Sequence, residues 1–574
     1  MALSDSTVSS SKRMRRSTGG SRVRPLWVAA SLLAIAGCYS TGEGPSPKQN
    51  ALYFPVGILP SPGGNALYVV NSDFDLQFNG GTVEAYNLHE IRDIALRPFW
   101  APEPDDDRSD PCFGLGPNPN VILYPGPCGP LDLNRPPPRS VPYGPFFQAS
   151  AKIGAFATDV VMACHSVENP RLGATADCTR GGLAAQGARL FVPVRGDRSL
   201  TFFDVDDDRQ GGEQTFKLEC GQRANEGRCS DAFRAGIDPG ENTRGLTLPA
   251  EPFGVAVSDR GDSIVMTHQS STSGSVSLFT SHARDDRGEP IIGAVIDTKP
   301  RLEYVLSGLP GSATGIAALP TPGIDALRGF DATNYQPGFA IAYRLVAQLD
   351  VVRFFDDSFA APERPFLQRT AAFGLQATPS GFDSRDIAID VAPSSERAVC
   401  ERTCRAGAEG EMDGCLLECA KIPLGVYMSN RFSPGSPGAL LIGEVRLPNA
   451  LTGSSENITF YDSVTVSAGP SRIVVGRIHD RRDPPGQFRP RVFVVCFDAR
   501  SVVVYDPVER RVDGLIRTGR GPHAFVMDPV HPIAYLGHFT DSYIGLVDLD
   551  QSHASTYGTV VATIGTPVSP QGTK

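Results

Sequence analysis

The sequence predicts an all-β fold, a seven-bladed β-propeller with long disulfide-pinned loop insertions and a small cysteine-stapled helical hairpin. Three observations predict it. A degenerate strand–turn–strand unit recurs along the chain. The 60 Gly and 49 Pro signal many turns and few long helices. Cysteines gather in the stretches between the predicted strands.

The repeat is clearest in FPVGILPSPGGNALYVVNSDFDLQFNGGTVEAYNL from Phe54, EPFGVAVSDRGDSIVMTHQSSTSGSVSLFT from Glu251 and GPHAFVMDPVHPIAYLGHFTDSYIGLVDLD from Gly521. Each copy starts with a Pro flanked by small or apolar residues. An apolar strand, a turn rich in Pro, Gly or Asp, a second strand ending in Asn or His, a polar loop and an alternating third strand then follow. Leu67-Tyr68-Val69-Val70-Asn71 resembles the second strand of the YVTN-type repeat of bacterial surface propellers. That template places weaker copies at about 152–205, 311–355, 385–445 and 469–506, which brings the number to seven. RLEYVLSG, YDSVTVSAG, DGLIRTG and GTVVATIG supply fourth strands. One blade buries too little to be stable alone, so stacking in a ring supplies the core. Two β-sandwiches would show similar strand spacing without these recurring landmarks.

The N-terminus carries Lys12, Arg13, Arg15, Arg16, Arg22 and Arg24, then the apolar run PLWVAASLLAIAG, which is too short to span a bilayer as a stable helix. It ends in Ile35-Ala36-Gly37-Cys38, which resembles the lipobox of bacterial lipoproteins. The resemblance implies a signal peptide over 1–37, lipidation of Cys38 with acyl chains such as palmitate, and a tether over 38–50. The propeller then occupies 51–574, with insertions at about 89–150, 209–245 and 398–422. Several acyl chains hold a protein to a membrane far more firmly than one. Tyr39 is not the Asp that favours inner-membrane retention, so the expected place is the bacterial cell envelope, at the outer membrane. The net charge of −10 and the lack of a basic stripe in the mature part argue against nucleic acid as a partner.

Export implies an oxidising compartment, where cysteines pair. Cys112 with Cys128, Cys164 with Cys178 and Cys220 with Cys229 are local couples. Cys400, Cys404, Cys415 and Cys419 form two CxxxC steps, each on one face of a helical turn. They suit two disulfides across a hairpin or, alternatively, a four-thiolate zinc site. Cys496 in VFVVC is left as a buried free thiol.

In a propeller the start of the first strand and the end of the second meet on one face near the axis. Second strands end at Asn71, His268, Arg344, Asn430 and His538, and first strands begin near Phe253, Arg385, Arg472 and His523. These residues form the candidate ligand site at the channel mouth, with His, Arg and Asn suited to an anionic or metal-bound ligand. For any one of these side chains, tying a loop by a hydrogen bond to the backbone is the favoured reading, and His268, His523 and His538 matter as a group. Asp204, Asp206 and Asp208 alternate like the opening of a Ca²⁺ loop, but Arg209 and Thr215 stand where that loop has Gly and Glu.

No GxSxG, HExxH, CxxCH or Walker-type loop is present. The first expectation is therefore a membrane-anchored extracytoplasmic propeller that binds or scaffolds a protein or glycan partner. The alternative is a lactonase-like propeller hydrolase, which needs carboxylate, His and Arg gathered in one pocket. A metal-binding propeller, needing His268 and His538 aimed at one centre, ranks third.

Overall fold

The computed structural model describes residues 44–565, apart from 101–111, 135–145, 167–184, 209–214, 281–298, 324–335, 356–364, 376–382, 432–437 and a few shorter stretches. Cys38, the signal segment and the Cys164 to Cys178 couple lie outside the described residues or rest on residues that do.

Seven antiparallel sheets follow one another along the chain, each with its strands in sequence order. Blade 1 runs over Pro55–Lys152, blade 2 over Val161–Ala235, blade 3 over Pro252–Leu309 and blade 4 over Ala313–Gly374. Blade 5 runs over Ser384–Val466, blade 6 over Pro470–Arg517 and blade 7 over Pro522–Ile564. The first strands of blades 2 to 7 pack side by side in turn, and that of blade 7 meets that of blade 1. The fold is a seven-bladed β-propeller.

Alternation explains how the core is divided. In the second strand of blade 1, Ala66–Asn71, every residue is buried. Side chains alternate between the faces of a strand, so Leu67 and Val69 pack with Ile533, Tyr535 and Leu546 of blade 7. Tyr68 and Val70 pack with Leu190, Val192 and Phe203 of blade 2. A strand covered on both faces reads as a continuous apolar run, which is why ALYVV is so plain a landmark.

The insertions depart from the sequence reading. The stretch at 89–150, expected to be a disulfide-pinned loop, instead begins with helix α1, Leu88–Trp100. Asn87 Oδ1 accepts the Glu90 N–H at 3.2 Å and caps the helix start. Leu88, Ile91 and Ala95 share one face and bury against blades 1 and 7. Arg92 Nε donates to Asp528 of blade 7 at 2.9 Å. Farther on, the segment pinned by Cys112–Cys128 lays Leu131 alongside Ile564, the last strand residue of blade 7. All four strands of blade 7 come from the C-terminal part of the chain, so the ring is closed by this clasp and not by strand exchange.

A second clasp repeats the device. The loop closed by Cys220–Cys229 hydrogen-bonds to both sides of Lys152 in the outer strand of blade 1, from Gly227 O at 2.8 Å and Cys229 N at 3.0 Å. Both loops cover an outer strand that would otherwise leave unpaired backbone groups.

Helices α2, Ala392–Ala406, and α3, Met412–Ala420, form the hairpin between the first two strands of blade 5. Cys400–Cys419 and Cys404–Cys415 staple it. The four thiols are consumed, which rules out the zinc reading. Cys496 is free and buried. No helix among the described residues is long and apolar enough to cross a membrane.

Strand direction assigns the loops to faces. First strands start, and second strands end, on what is here termed the top face. Connections between first and second strands, and between third and fourth, therefore lie on the bottom face. The α1 insertion and the cysteine hairpin both spring from the bottom face.

Candidate functional site

The top mouth is built by a seven-fold backbone motif. In register, Pro55 faces Asn71, Ala157 faces Val194, Pro252 faces His268 and Ala313 faces Tyr343. Ser384 likewise faces Asn430, Pro470 faces Cys496 and Pro522 faces His538. The residue just before each first-strand member has positive φ: Phe54, Phe156, Glu251, Ser312, Asp383, Gly469 and Gly521, between 49° and 72°. Its carbonyl accepts the N–H of the residue just after each second-strand member. Those donors are Ser72, Arg195, Gln269, Arg344, Arg431, Phe497 and Phe539, at 2.7 to 3.1 Å. The left-handed turn throws the chain from the preceding loop into the channel wall, and Pro in four of the seven following positions fixes the entry φ.

This register places each sequence-predicted residue. Asn71, His268, Asn430 and His538 occupy equivalent positions, and all four are fully buried. The Asn71 side chain accepts from Tyr53 N at 3.1 Å and donates to Ala51 O at 3.2 Å and Thr82 Oγ1 at 3.0 Å. His268 lies 3.1 Å from Ala250 O and 2.7 Å from Ser277 Oγ. Asn430 Oδ1 accepts Ser384 Oγ–H at 2.7 Å. The His538 ring stacks on Tyr543 at 4.0 Å. Burial pushes His268 down to about 4 and His538 down to about 3, so both are neutral imidazoles at neutral pH. The structure puts the four at one level of the ring but points them into the blades.

Arg344 stands one residue beyond Tyr343, the true equivalent of His268, and Arg472 stands one residue deeper than Arg385 and His523. That offset matters. Tyr343 goes inward and donates to Asp350 at 2.8 Å, whereas Arg344 faces the rim. Arg472 reaches from blade 6 across the channel to Asp159 before blade 2, at 2.6 Å.

The three aspartates do not converge on one cation site. Asp204 pairs with Arg189 at 2.6 Å, Asp206 accepts from Thr215 and Lys217, and Asp208 accepts from Ser61, Gly63 and Asn65 of blade 1. Three carboxylates spent on three different partners cannot surround one Ca²⁺.

A funnel remains. Thr158, Phe253, Arg385, Ser471 and His523 sit at one level of the inner wall and are partly exposed, whereas their equivalents in blades 1 and 4, Val56 and Thr314, are buried. One level down, Arg472 and Asp159 form a bar across the axis, and buried Asp386 accepts the Ile473 N–H at 2.8 Å. Burial raises Asp386 to about 6 despite Arg472 nearby. Burial works against the Arg472 charge, but Asp159 and Asp386 more than offset it. Burial, then Arg472, push His523 down to about 3.

The rim has two chemically different halves. In blades 4 and 5, Arg344 and Arg385 share Asp383, at 3.0 and 2.8 Å, and Arg431 reaches Asp498 at 2.6 Å. Arg195 pairs with Glu251 between blades 2 and 3. Around blades 7, 1 and 2, Phe54, Phe74, Phe156 and Phe539 form a chain of ring contacts, with centroids 5.0 to 6.1 Å apart. Phe497 and His523 also approach Phe539, at 6.3 and 6.1 Å. Sequence reasoning missed Asp159, Asp383, Asp386, Arg431 and the phenylalanines. The position just before each first strand holds Phe54, Phe156 and Asp383, and the one just after each second strand holds Arg431 and Phe539, so extending the repeat alignment by one residue at each of these ends finds these five.

No protein-family model and no curated protein matches the sequence. Among solved structures, hydrazine synthase of Kuenenia stuttgartiensis is similar over 89% of this chain and 99% of that one, with 10% identity and a TM-score of 0.41. Sqt1 of Saccharomyces cerevisiae is similar over 93% and 94%, with 9% identity and a TM-score of 0.40. A Lactobacillus plantarum protein is similar over 83% and 89%, with 10% identity and a TM-score of 0.36.

Proposed function

We propose that this chain is a lipid-anchored propeller of the bacterial envelope that binds a partner at its top mouth. The lipid on Cys38 supplies the membrane attachment, at the outer membrane, and a protein or glycan of the envelope or the outside is the expected partner. One observation carries the binding reading. The mouth is lined by arginines and aromatic rings, while the channel carboxylates Asp159 and Asp386 are already committed to an ion pair and a backbone donor. Rigid, partly exposed anchors of this kind favour recognition.

A hydrolase reading has a specific observation in its favour, because Asp159, Asp386, Arg472 and His523 bring carboxylate, His and Arg into one channel. Against it, Asp159 is held by Arg472 and the Asp386 carboxylate by Ile473 N–H, which leaves His523 without a nucleophile aligned to it.

Two measurements test the proposal. Wild-type chain should partition into the detergent phase and Cys38→Ser into the aqueous phase. A photo-crosslinking residue at Gln269 on the rim should give a discrete adduct in envelopes, while one at Arg511 on an outer strand should not. An adduct only at Arg511 would move the binding surface away from the mouth, and hydrolysis of aryl esters or lactones that Asp386→Asn abolishes would favour the enzyme.

A further inference from the structure

The two halves of the mouth define what it takes. This step rests on the mouth being the binding site and names its ligand class. In a ring of seven, blade 1 lies opposite blades 4 and 5, so the phenylalanine half faces the arginine half across the vestibule.

On the arginine side, three guanidiniums meet two carboxylates. Arg344 Nε and Arg385 Nε both approach the same Asp383 oxygen, and Arg431 takes Asp498. Their side chains keep 31%, 19% and 29% of their exposure, so donors remain turned to solvent. The charge of Arg385 is disfavoured by burial and by Arg344 and Arg431 beside it, with Asp383 opposing. On the far side, Phe74 is 52% exposed although its ring rests on Phe54, Phe156 and Phe539. Neutral His523 adds an uncharged edge beneath Phe539.

We infer that the mouth binds an aryl carboxylate, with its carboxylate on Arg344, Arg385 and Arg431 and its ring against Phe74 and Phe539. A planar guanidinium pairs with a carboxylate through two parallel hydrogen bonds, and an aromatic ring packs edge-on or offset against phenylalanines. Two sources present this chemistry: a free arylalkanoate, and the C-terminal Phe, Tyr or Trp of a polypeptide.

The test is calorimetric titration of the mature, lipidated chain in detergent with 3-phenylpropionate and with N-acetyl-Gly-Gly-Phe bearing a free C-terminus. The controls are 3-phenylpropionamide, the amidated peptide and acetate. At least one acid should bind, with its amide and acetate weaker by about tenfold or more. Arg431→Gln and Phe74→Ala, both partly exposed, should each weaken that acid by about tenfold in protein that still unfolds cooperatively above the titration temperature. Binding of the free acid alone identifies a small-molecule ligand, and binding of the peptide acid alone identifies a chain terminus. Amides that bind as well as acids, or no binding by folded protein, would overturn the inference. A rim adduct at Gln269 without any such binding would leave partner binding standing and remove only the aryl carboxylate.

Discussion

Leu131 and Ile564 pair in parallel across the seam of the ring: Leu131 N–H donates to Thr563 O at 2.8 Å, and Leu131 O accepts Gly565 N–H at 2.8 Å. The segment that carries Leu131 is tied by Cys112–Cys128, 16 residues apart in sequence. A link closing a loop of that size contributes about 3 kcal/mol in the chain-entropy account. Replacing both cysteines with Ala should therefore lower stability by about 2–4 kcal/mol. Amide exchange should quicken first in Val560–Ile564 and in α1. Uniform quickening over all seven blades would show that the insertion does not close the ring.

Blade 6 buries Arg491 completely, with Nη2 3.2 Å from Asp480 and 3.0 Å from Asp506, and Nε 3.1 Å from Asp513. Arg491→Met should cost about 3–5 kcal/mol, because it strands buried carboxylates. Adding Asp480→Asn and Asp506→Asn to that variant should restore part of the loss. Hydrogen bonds from Arg482, opposed by burial, hold Asp480 below the usual carboxylate range. Its stabilisation is full above the unfolded pKa near 4 and is lost as pH falls through the folded one. Chemical denaturation of each variant at pH 7 measures the effect.

The buried histidines have the opposite chemistry. His538 is neutral in the folded state down to about 3, whereas an unfolded imidazole takes a proton near 6.5. The unfolded state therefore binds more protons between those values, and stability falls as pH drops from 6.5 toward 3. From pH 7.5 to pH 5 this amounts to roughly 2 kcal/mol for one such histidine. Two buried carboxylates pull the other way: burial raises Glu84 to about 8 and Asp386 to about 6, so their contribution grows on acidification. The difference between wild type and His538→Phe isolates the histidine. The variant should match wild type within about 1 kcal/mol at pH 7.5 and exceed it by roughly 2 kcal/mol at pH 5. Equal slopes in the two proteins would place the pH dependence elsewhere.

Burial raises the Cys496 thiol to about 12, so it should ignore a thiol reagent at pH 8 in the native state. Denatured without reductant, the protein should show one reactive thiol, at Cys496. Labelling at Cys400, Cys404, Cys415 or Cys419 would contradict the stapled hairpin.

The blades were legible because apolar runs buried on both faces stand out between Pro and Gly landmarks, as at Pro55, Pro252, Pro470 and Pro522. Blades 2, 4 and 5 carry Ala157, Ala313 and Ser384 in the same place and, like blade 6 despite its Pro470, were placed only by the template. The mouth was less legible. A polar strand end suggests exposure, yet His268 is satisfied internally by Ala250 O and Ser277, which the sequence does not announce. Arg472 and Asp159 meet across 313 residues, and no local pattern foretells such a pair. Helix α1 was hidden because Pro98 and the acidic run after it masked the spacing of Leu88, Ile91 and Ala95.

The seven-fold turn itself can be tested, because its backbone is constant while its side chains differ. Ser312 adopts φ 61° and Gly521 φ 66°, and each accepts the N–H that follows a second strand. A non-glycine residue in this region carries about 1–2 kcal/mol of strain, which Gly does not. Ser312→Gly should relieve that strain, offset by the greater freedom of Gly in the unfolded chain, so its net effect should lie within about 1 kcal/mol of zero. Gly521→Ala should destabilise by more than that, because it adds the strain and sets a Cβ 2.2 Å from Thr540 Oγ1. Thermal melts of the two variants measure the asymmetry. Equal losses would mean that the conformation is not what the seven positions share. The mouth would then owe its shape to the individual loops, and the ring of equivalent rim residues would lose its foundation.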